Sequence, residues 1–426
     1  MELIFNKTSR SRKESLSDFK KEKLTKLLCW LAFFWCFNNF LLFGVNISLF
    51  FFLAFVFLTF HSYRVFSVKE IPQFAALFFA IGAIVSVIDT NSNSSNNIEK
   101  ALKVLPNFLY WSFLIIIFIN VLLPAGLISK KSISKVSKFI SIGVVLNVIF
   151  YEFNDILNFP FLKQNTPNSY AFVLVCFSPI GATYIRDNHG KARMLAYTTV
   201  ILSSLLLLER RAGFVLVLLS IFMALFFKKF NNKTLISLIL TIILSYFVLQ
   251  LSFIEKVILD ASPRIHETIY EAENIATEDQ SYLTRIAMIE KGMIIFKENP
   301  LTGIGLSNFQ THYVHIPGNF LGSELVIGKD LSNKSSHNSY VALLAEGGLF
   351  LLLPFLLLFT FNIYHFLRNF KKRTNLENAF YWSFLAMAVH IYFISEIFNV
   401  FAWFLIAVVS AISVKYLRLT NQPMDK

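Results

Sequence analysis

Long apolar segments separated by short polar ones dominate the chain. Several are shorter than the roughly 20 residues that a helix needs to cross a bilayer core, so their helices must extend into neighbouring polar residues. We place the apolar segments at 27–45, 47–60, 74–88, 108–128, 139–153, 170–185, 194–208, 212–227, 235–253, 339–366, 379–395 and 400–416. This pattern predicts an all-α polytopic membrane protein with about 12 transmembrane helices.

Composition favours the same class. Hydrophobic residues make up 55% of the chain and charged residues 15%, and the mean hydropathy is +0.59. These values exclude an ordinary soluble domain of 426 residues. The three cysteines lie inside apolar segments without any Cys-x-x-Cys spacing, so they carry no information about a disulfide or a metal site.

Positive charge predicts the orientation of the helices. Lys and Arg accumulate in cytoplasmic loops, and with a cytoplasmic N-terminus 27 of the 39 fall in segments that alternation places inside. Both termini are therefore expected in the cytoplasm. The bias also explains most of the net charge of +13, so no nucleic acid partner is expected. The predicted regions are a basic tail at 1–26, nine transmembrane helices within 27–253, a large external loop at 254–338, three helices within 339–417 and a tail at 418–426.

Two arginines on the external side stand out, because the charge bias disfavours them there. Arg210 and Arg211 follow Glu209 between two apolar segments that are joined by almost no loop. Either both side chains reach out to lipid headgroups, or at least one holds an anionic ligand while Glu209 pairs with the other. We favour the ligand, and Gly213 leaves room for its close approach.

The large external loop contains a predicted amphipathic helix over 281–296, which ends at Asn299 and Pro300. Arg285 projects from near its apolar side. We expect this helix to lie on the bilayer surface or on the helix bundle. Its predicted apolar positions are Ile286, Ile289, Met293 and Phe296.

The loop ends in Ser-Ser-His-Asn-Ser-Tyr at 335–340, and the apolar helix that follows carries Glu346 and Gly348. We expect the serines to cap this helix and its positive end to attract an anion. At 100° per residue, Gly348 returns to within about 20° of His337, which predicts a glycine notch beneath the histidine. Glu346 is buried, and an interhelical hydrogen bond is its expected role.

His337 is the candidate catalytic residue. A helix N-terminus and nearby arginines lower the pKa of an imidazole, and a neutral imidazole can take a proton from a sugar hydroxyl. The arginines could hold a pyrophosphate and stabilise its charge as it leaves. The alternative is an ordinary interfacial histidine that bridges loop and lipid.

A metal site is not expected from the sequence. His312 and His315 are three residues apart, but no regular helix and no Asp or Cys set accompanies them. The external loops also lack an Asp-x-Asp pair.

These motifs together resemble the bacterial O-antigen ligase and polymerase superfamily. The resemblance is carried by Arg211-Ala-Gly, by the segment from Arg285 to Phe309, and by His337-Asn338 followed by Glu-Gly-Gly at 346–348. It implies a GT-C type glycosyltransferase of the bacterial inner membrane, with a periplasmic active site and no cofactor or metal.

In such an enzyme, the donor is a glycan linked to undecaprenyl pyrophosphate, and the acceptor is a lipid A core sugar or another glycan. Carried over to this chain, His337 would activate the acceptor hydroxyl. Arg211 and Arg285 would bind the pyrophosphate, with Arg210 as a further candidate. The supporting residues would be Asn338, Glu346 and Gly348.

An O-antigen ligase is the leading interpretation, because the spacing of the two arginines and the histidine resembles that of ligases. A polymerase that joins lipid-linked repeat units is the close alternative, since it shares the chemistry and differs in the acceptor. Two departures from the ligase pattern keep the polymerase alternative open. Leu351 stands where a small residue or tyrosine is usual, and Arg210 stands where serine or threonine is usual. A flippase for the same lipid and a metal-dependent glycosyltransferase are further alternatives.

Overall fold

The computed structural model describes most of the chain. It covers 2–37, 41–42, 45–60, 63, 65–89, 95–153, 166–207, 211–226, 280–314, 334–394 and 399–421, with a few residues between 255 and 270. The predicted apolar segment at 235–253 lies outside these residues, as do Glu209, Arg210 and His315.

The described residues are almost entirely helical, which confirms an all-α protein. The helices are α1 (Glu2–Phe37), α2 (Ile47–Phe60), α3 (Ile71–Asp89), α4 (Ser95–Leu122), α5 (Lys130–Glu152), α6 (Pro167–His189), α7 (Lys191–Leu207), α8 (Arg211–Phe226), α9 (Gln280–Glu298), α10 (Ser339–Asn369), α11 (Asn375–His390) and α12 (Val400–Asn421). A 3-10 turn, Phe370–Lys372, follows α10. Two two-residue strands, β1 (Leu41–Leu42) and β2 (Val45–Asn46), pair antiparallel.

Six segments of the described chain are long and apolar enough to cross a membrane. They are Ile71–Ile88, Ile98–Leu122, Lys130–Glu152, Pro167–His189, Ser339–Lys372 and Val400–Thr420. Large apolar side chains lie on the outer surface, as Phe57 does with 75% of its area exposed, and lipid rather than water suits such a surface. The chain is therefore a polytopic membrane protein, whereas the total of about 12 spans stays a prediction.

Helices α6 and α12 form the centre of the bundle. Every residue of α6 from Tyr170 to Tyr184 is buried, and α6 packs against α5, α7, α8 and α11. α12 packs against α4, α10 and α11, and its Trp403 stacks on Trp111 of α4 with ring centroids 5.3 Å apart. Because lipid tails are as apolar as these side chains, close packing rather than exclusion of water holds such helices together.

Contacts along α6 define which helix ends lie on the same side of the bundle. Near the end of α6, Arg186 donates to the carbonyl of Leu225 near the end of α8 (2.6 Å), and the first residue of α11 donates to Asp187 (3.1 Å). Near the start of α6, the ring of Phe172 lies 5.6 Å from that of His390, the last residue of α11. The start of α8 and the end of α11 therefore share the side opposite Arg186.

Candidate functional site

α10 consists of two helical parts joined at a break. Gly348 has φ 59° and ψ −153°, which lies outside the helical region. The part after the break, 349–369, is about 30 Å long at 1.5 Å per residue, enough to cross a bilayer core alone. This length leaves the first part, 339–347, for the membrane interface on the side where α10 begins.

The loop that follows α9 fills this break with backbone hydrogen bonds. The amide of Leu349 donates to the carbonyl of Pro300 (3.0 Å), and the amide of Ile304 donates to the carbonyl of Ala345 (2.9 Å). In the same way, the amide of Phe350 donates to the carbonyl of Leu301 (3.1 Å), and the amide of Gly305 donates to the carbonyl of Glu346 (3.0 Å). Since a buried backbone group without a partner is costly, these four bonds stabilise both the open helix and the loop.

Two glycines allow the loop and the helix to approach this closely. Gly348 and Gly303 both have positive φ, 59° and 64°. A Cβ at 348 would overlap the carbonyl oxygen of Leu301, and one at 303 would lie 2.5 Å from that of Ala345. Gly348 thus admits the loop. The prediction that Gly348 lies on the same face of a helix as His337 is wrong, because the helix begins after His337 and is broken at Gly348.

Glu346 fastens the same loop from within the bundle. Its side-chain Oε1 accepts a hydrogen bond from the amide of Phe309 (3.1 Å), and the carboxylate also accepts from the amide of Ser307. Its backbone carbonyl accepts from the hydroxyl of Ser86 in α3 (2.7 Å). The side chain is therefore hydrogen-bonded, as expected, but its partner is the loop rather than another helix.

α9 packs along segment 339–347 of α10. The buried apolar residues of α9 are Leu283, Ala287, Met288 and Ile295. They cluster with Val341 and Ala345 of α10. α9 therefore lies on the helix bundle, one of its two expected placements. The predicted apolar positions Ile286, Ile289, Met293 and Phe296 are half-buried. Of these four, Ile289 packs against the cluster, so the face that packs on α10 is displaced from the predicted one.

His337 lies in a tight turn one residue before the N-cap of α10. The cap is Asn338, whose Oδ1 accepts from the amides of Tyr340 (3.0 Å) and Val341 (3.1 Å); the expected serine cap is therefore wrong. Ser336 Oγ accepts from the Asn338 amide (3.3 Å) and donates to the Asn338 carbonyl (2.9 Å). Inside this turn His337 has φ 47°, which costs a non-glycine residue about 1 kcal/mol.

The start of α10 is fastened to the end of α11. Ser339 donates from its amide to the carbonyl of Ile391 and from its hydroxyl to that of Ile394, both at 2.8 Å. The hydroxyl of Tyr340 donates to the carbonyl of Ala388, also at 2.8 Å. The turn that holds His337 is thereby fixed to the side of the bundle where α11 ends.

Arg285 acts electrostatically on His337. Burial lowers the pKa of His337 most, and the positive charges of Arg285 and Lys334 lower this pKa further. The direction is the expected one, although burial and not the arginine is the main cause. A lowered pKa keeps the imidazole neutral near pH 7, so that one ring nitrogen is free to accept a proton.

Arg211 is the first residue of α8, and its side chain lies outside the part of the chain that is described. The start of α8 lies on the same side of the bundle as the end of α11. The turn of His337 is fastened to that end of α11, and α9, which carries Arg285, packs beside it. The structure thus brings the backbone of Arg211 to the same side as the other two, while contact between the three side chains stays a prediction.

His390 is a candidate site residue that the sequence did not reveal. It is buried at the end of α11, and Arg285 acts on it electrostatically as it does on His337. No sequence motif surrounds this histidine. Arg285 lies more than 100 residues away along the chain, so the sequence gives no sign of this relation.

Comparison with protein families relates part of the chain to a known family. Residues 196–356 match the family model for O-antigen ligase. The matched segment begins within α7, contains α8, α9 and the loop in the break, and ends shortly after the break in α10. A search of curated proteins found no match to the chain.

Gly348→Ala is expected to destabilise the protein strongly. The new methyl group would meet a carbonyl oxygen that is itself fixed by hydrogen bonds, in addition to the strain of positive φ. We expect the free energy of unfolding in detergent to fall by about 2–6 kcal/mol, the sum of the strain and the overlap.

Gly190→Ala is the matched control for this prediction. Gly190 also has positive φ, 91°, but a Cβ there would find no atom within 4 Å. With ψ 171° its backbone lies in a region that is essentially restricted to glycine. Its replacement should therefore cost only the strain, about 1–3 kcal/mol. Equal losses for the two variants would contradict a tightly filled break.

Proposed function

We propose that this chain, which belongs to the O-antigen ligase and polymerase superfamily, is an O-antigen ligase. It would transfer a glycan from undecaprenyl pyrophosphate to a hydroxyl group of a lipid A core sugar, on the periplasmic side of the bacterial inner membrane. The family match and the membrane helices support a membrane glycosyltransferase. The ligase reaction and the residue roles below are the proposal.

In the proposed reaction His337 is the general base. It removes the proton from the acceptor hydroxyl as the oxygen attacks the anomeric carbon of the donor glycan. The bond from that carbon to the pyrophosphate oxygen breaks, and undecaprenyl pyrophosphate leaves with the bonding electrons. Arg285 and Arg211 stabilise its negative charge, because guanidinium groups bind phosphate oxygens through two parallel hydrogen bonds. Arg210 is a further candidate for this contact.

The observation that carries this proposal is that burial and the positive charge of Arg285 both lower the pKa of the half-buried His337. A base must be neutral before it takes a proton, and a leaving pyrophosphate needs a cation nearby. Two groups close together on one side of a membrane protein meet both needs. The supporting residues act indirectly: Asn338 caps α10, and Glu346 and Gly348 hold the loop that positions α9.

We further propose about 12 transmembrane helices, with both termini in the cytoplasm and loop 254–338 in the periplasm. The alternating helix ends along α6 support this orientation, since Arg186 and the first residue of α11 lie on one side. The turn of His337 lies on the other, through its bonds to the end of α11.

The decisive test of the reaction is transfer by the purified full-length enzyme, with the lipid-linked glycan and core lipopolysaccharide from a strain that lacks the gene. We expect wild type to attach polymer to core and His337→Ala to lose at least about a hundredfold in rate, the usual range for a general base. Near wild-type transfer by His337→Ala would remove this residue as the base.

The deletion strain itself separates the two related reactions. Full-length polymer stranded on its lipid carrier is the ligase outcome. Single repeat units attached to core would instead assign the polymerase reaction. Precursor trapped on the cytoplasmic face would contradict both.

Lys334→Gln is expected to shift the acid limb of the kcat/KM profile to higher pH. The limb reports the protonation of His337 in the free enzyme. Removing a neighbouring positive charge eases that protonation and raises the pKa, while Arg285 still faces the ring. The plateau should stay unchanged.

Lys297→Gln is the control for that measurement. Lys297 is an exposed cation in the last turn of α9 and does not contribute to the lowered pKa of His337. An equal shift in both variants would mean that overall charge, rather than the neighbourhood of His337, sets the limb.

Single cysteines test the orientation. Tyr313→Cys, at a position with 83% of its area exposed, should react with an impermeant maleimide added to spheroplasts. Lys372→Cys should react only after lysis. The natural cysteines are buried, so wild type gives the background. The reverse pattern would invert the proposed topology.

A further inference from the structure

His390 is buried at the end of α11, against α6 and next to the turn that begins α10. Only 3% of its area is exposed, and its ring lies 5.6 Å from that of Phe172 of α6 at an interplanar angle of 62°. The residue after it accepts the amide of Ser339 (2.8 Å), two residues beyond His337. This histidine therefore lies beside the turn that holds the proposed base.

The Nδ1 atom of His390 is buried and finds no hydrogen-bond partner among the described residues. Leaving a buried polar atom unpaired is costly, so such atoms in native proteins usually serve a ligand, a bound water or a chemical step. A hydrophobic residue would fill the same space without that cost.

Arg285 links His390 to the proposed site, because its charge acts on both histidines. The guanidinium group has donors and no acceptor, whereas an imidazole nitrogen can accept. A sugar hydroxyl needs an acceptor for its proton. His390 thus offers the hydrogen-bonding capacity that Arg285 lacks.

We propose that His390 binds the glycan in this site, with its imidazole accepting a hydrogen bond from a sugar hydroxyl. This inference rests on the proposed function. The hydroxyl belongs either to the donor glycan beside the pyrophosphate or to the acceptor sugar. Both sources share the same chemistry, and the two substrates are titrated separately to distinguish them.

The test compares three variants of the full-length enzyme in the transfer assay. His390→Leu removes hydrogen bonding at similar volume, and we expect it to raise the KM of one glycan substrate about tenfold, the value of one hydrogen bond. kcat should change less than about threefold. His390→Asn places an amide near the position of Nδ1 and should keep that KM within about threefold of wild type. His390→Gln, whose amide lies farther out, should resemble the leucine variant.

His365→Leu is the matched control. This histidine of α10 has 4% of its area exposed, also has a buried Nδ1 without a partner among the described residues, and also has an arginine beside it, Arg373. His365 lies near the C-terminal end of α10, whereas the turn of His337 lies just before its N-terminal end. We expect its replacement to leave both KM values unchanged, whatever it does to the melting temperature.

A rise in KM for either substrate supports the inference, and the substrate affected identifies the hydroxyl. Unchanged KM values in His390→Leu would overturn it, as would an equal rise in His365→Leu. If the leucine variant does not fold, the asparagine and glutamine variants decide, and equal KM values for them would overturn the inference. Absence of transfer by wild type is a different result, because it would contradict the proposed function itself.

Discussion

The break in α10 at Gly348 is the constraint on which the geometry of this region depends. Opening a helix inside a membrane protein exposes amides and carbonyls that lipid cannot satisfy. Here the loop after α9 supplies the missing partners, with amides and carbonyls exchanged in both directions. The loop must therefore stay in the break, and α9, which ends just before it, must stay beside segment 339–347. The position of Arg285 relative to His337 follows from that attachment.

Several contacts far apart in the chain converge on the same end of the bundle. Glu346 holds the loop by its side chain and α3 by its carbonyl. Ser339 and Tyr340 hold the end of α11. Each contact joins a polar group to a backbone atom of another segment. Such contacts are short and directional, so they define the positions of side chains more narrowly than apolar packing alone.

The sequence was sufficient for the class of protein, because hydropathy and charge act over single segments. It was insufficient where the structure depends on contacts between two segments that lie far apart in the chain. The apolar face of α9 was misjudged, since many of its positions are apolar and α10 selects among them. The break was missed because Gly348 reads as a helix residue until the loop is seen inside the helix. His390 was missed because its neighbour Arg285 lies in another segment.

Segment 339–347 is bounded at both ends by residues with positive φ, Gly348 at one end and His337 just before the other. At Gly348 a side chain would overlap the loop, so glycine serves both the space and the conformation. At His337 glycine would relieve the backbone strain equally well, yet a histidine is present. Strain of this kind persists where the surrounding structure enforces it and a side chain is needed. Here the hydrogen bonds between Ser336 and Asn338 enforce the turn. The side chain that is needed is the imidazole of His337, the proposed base.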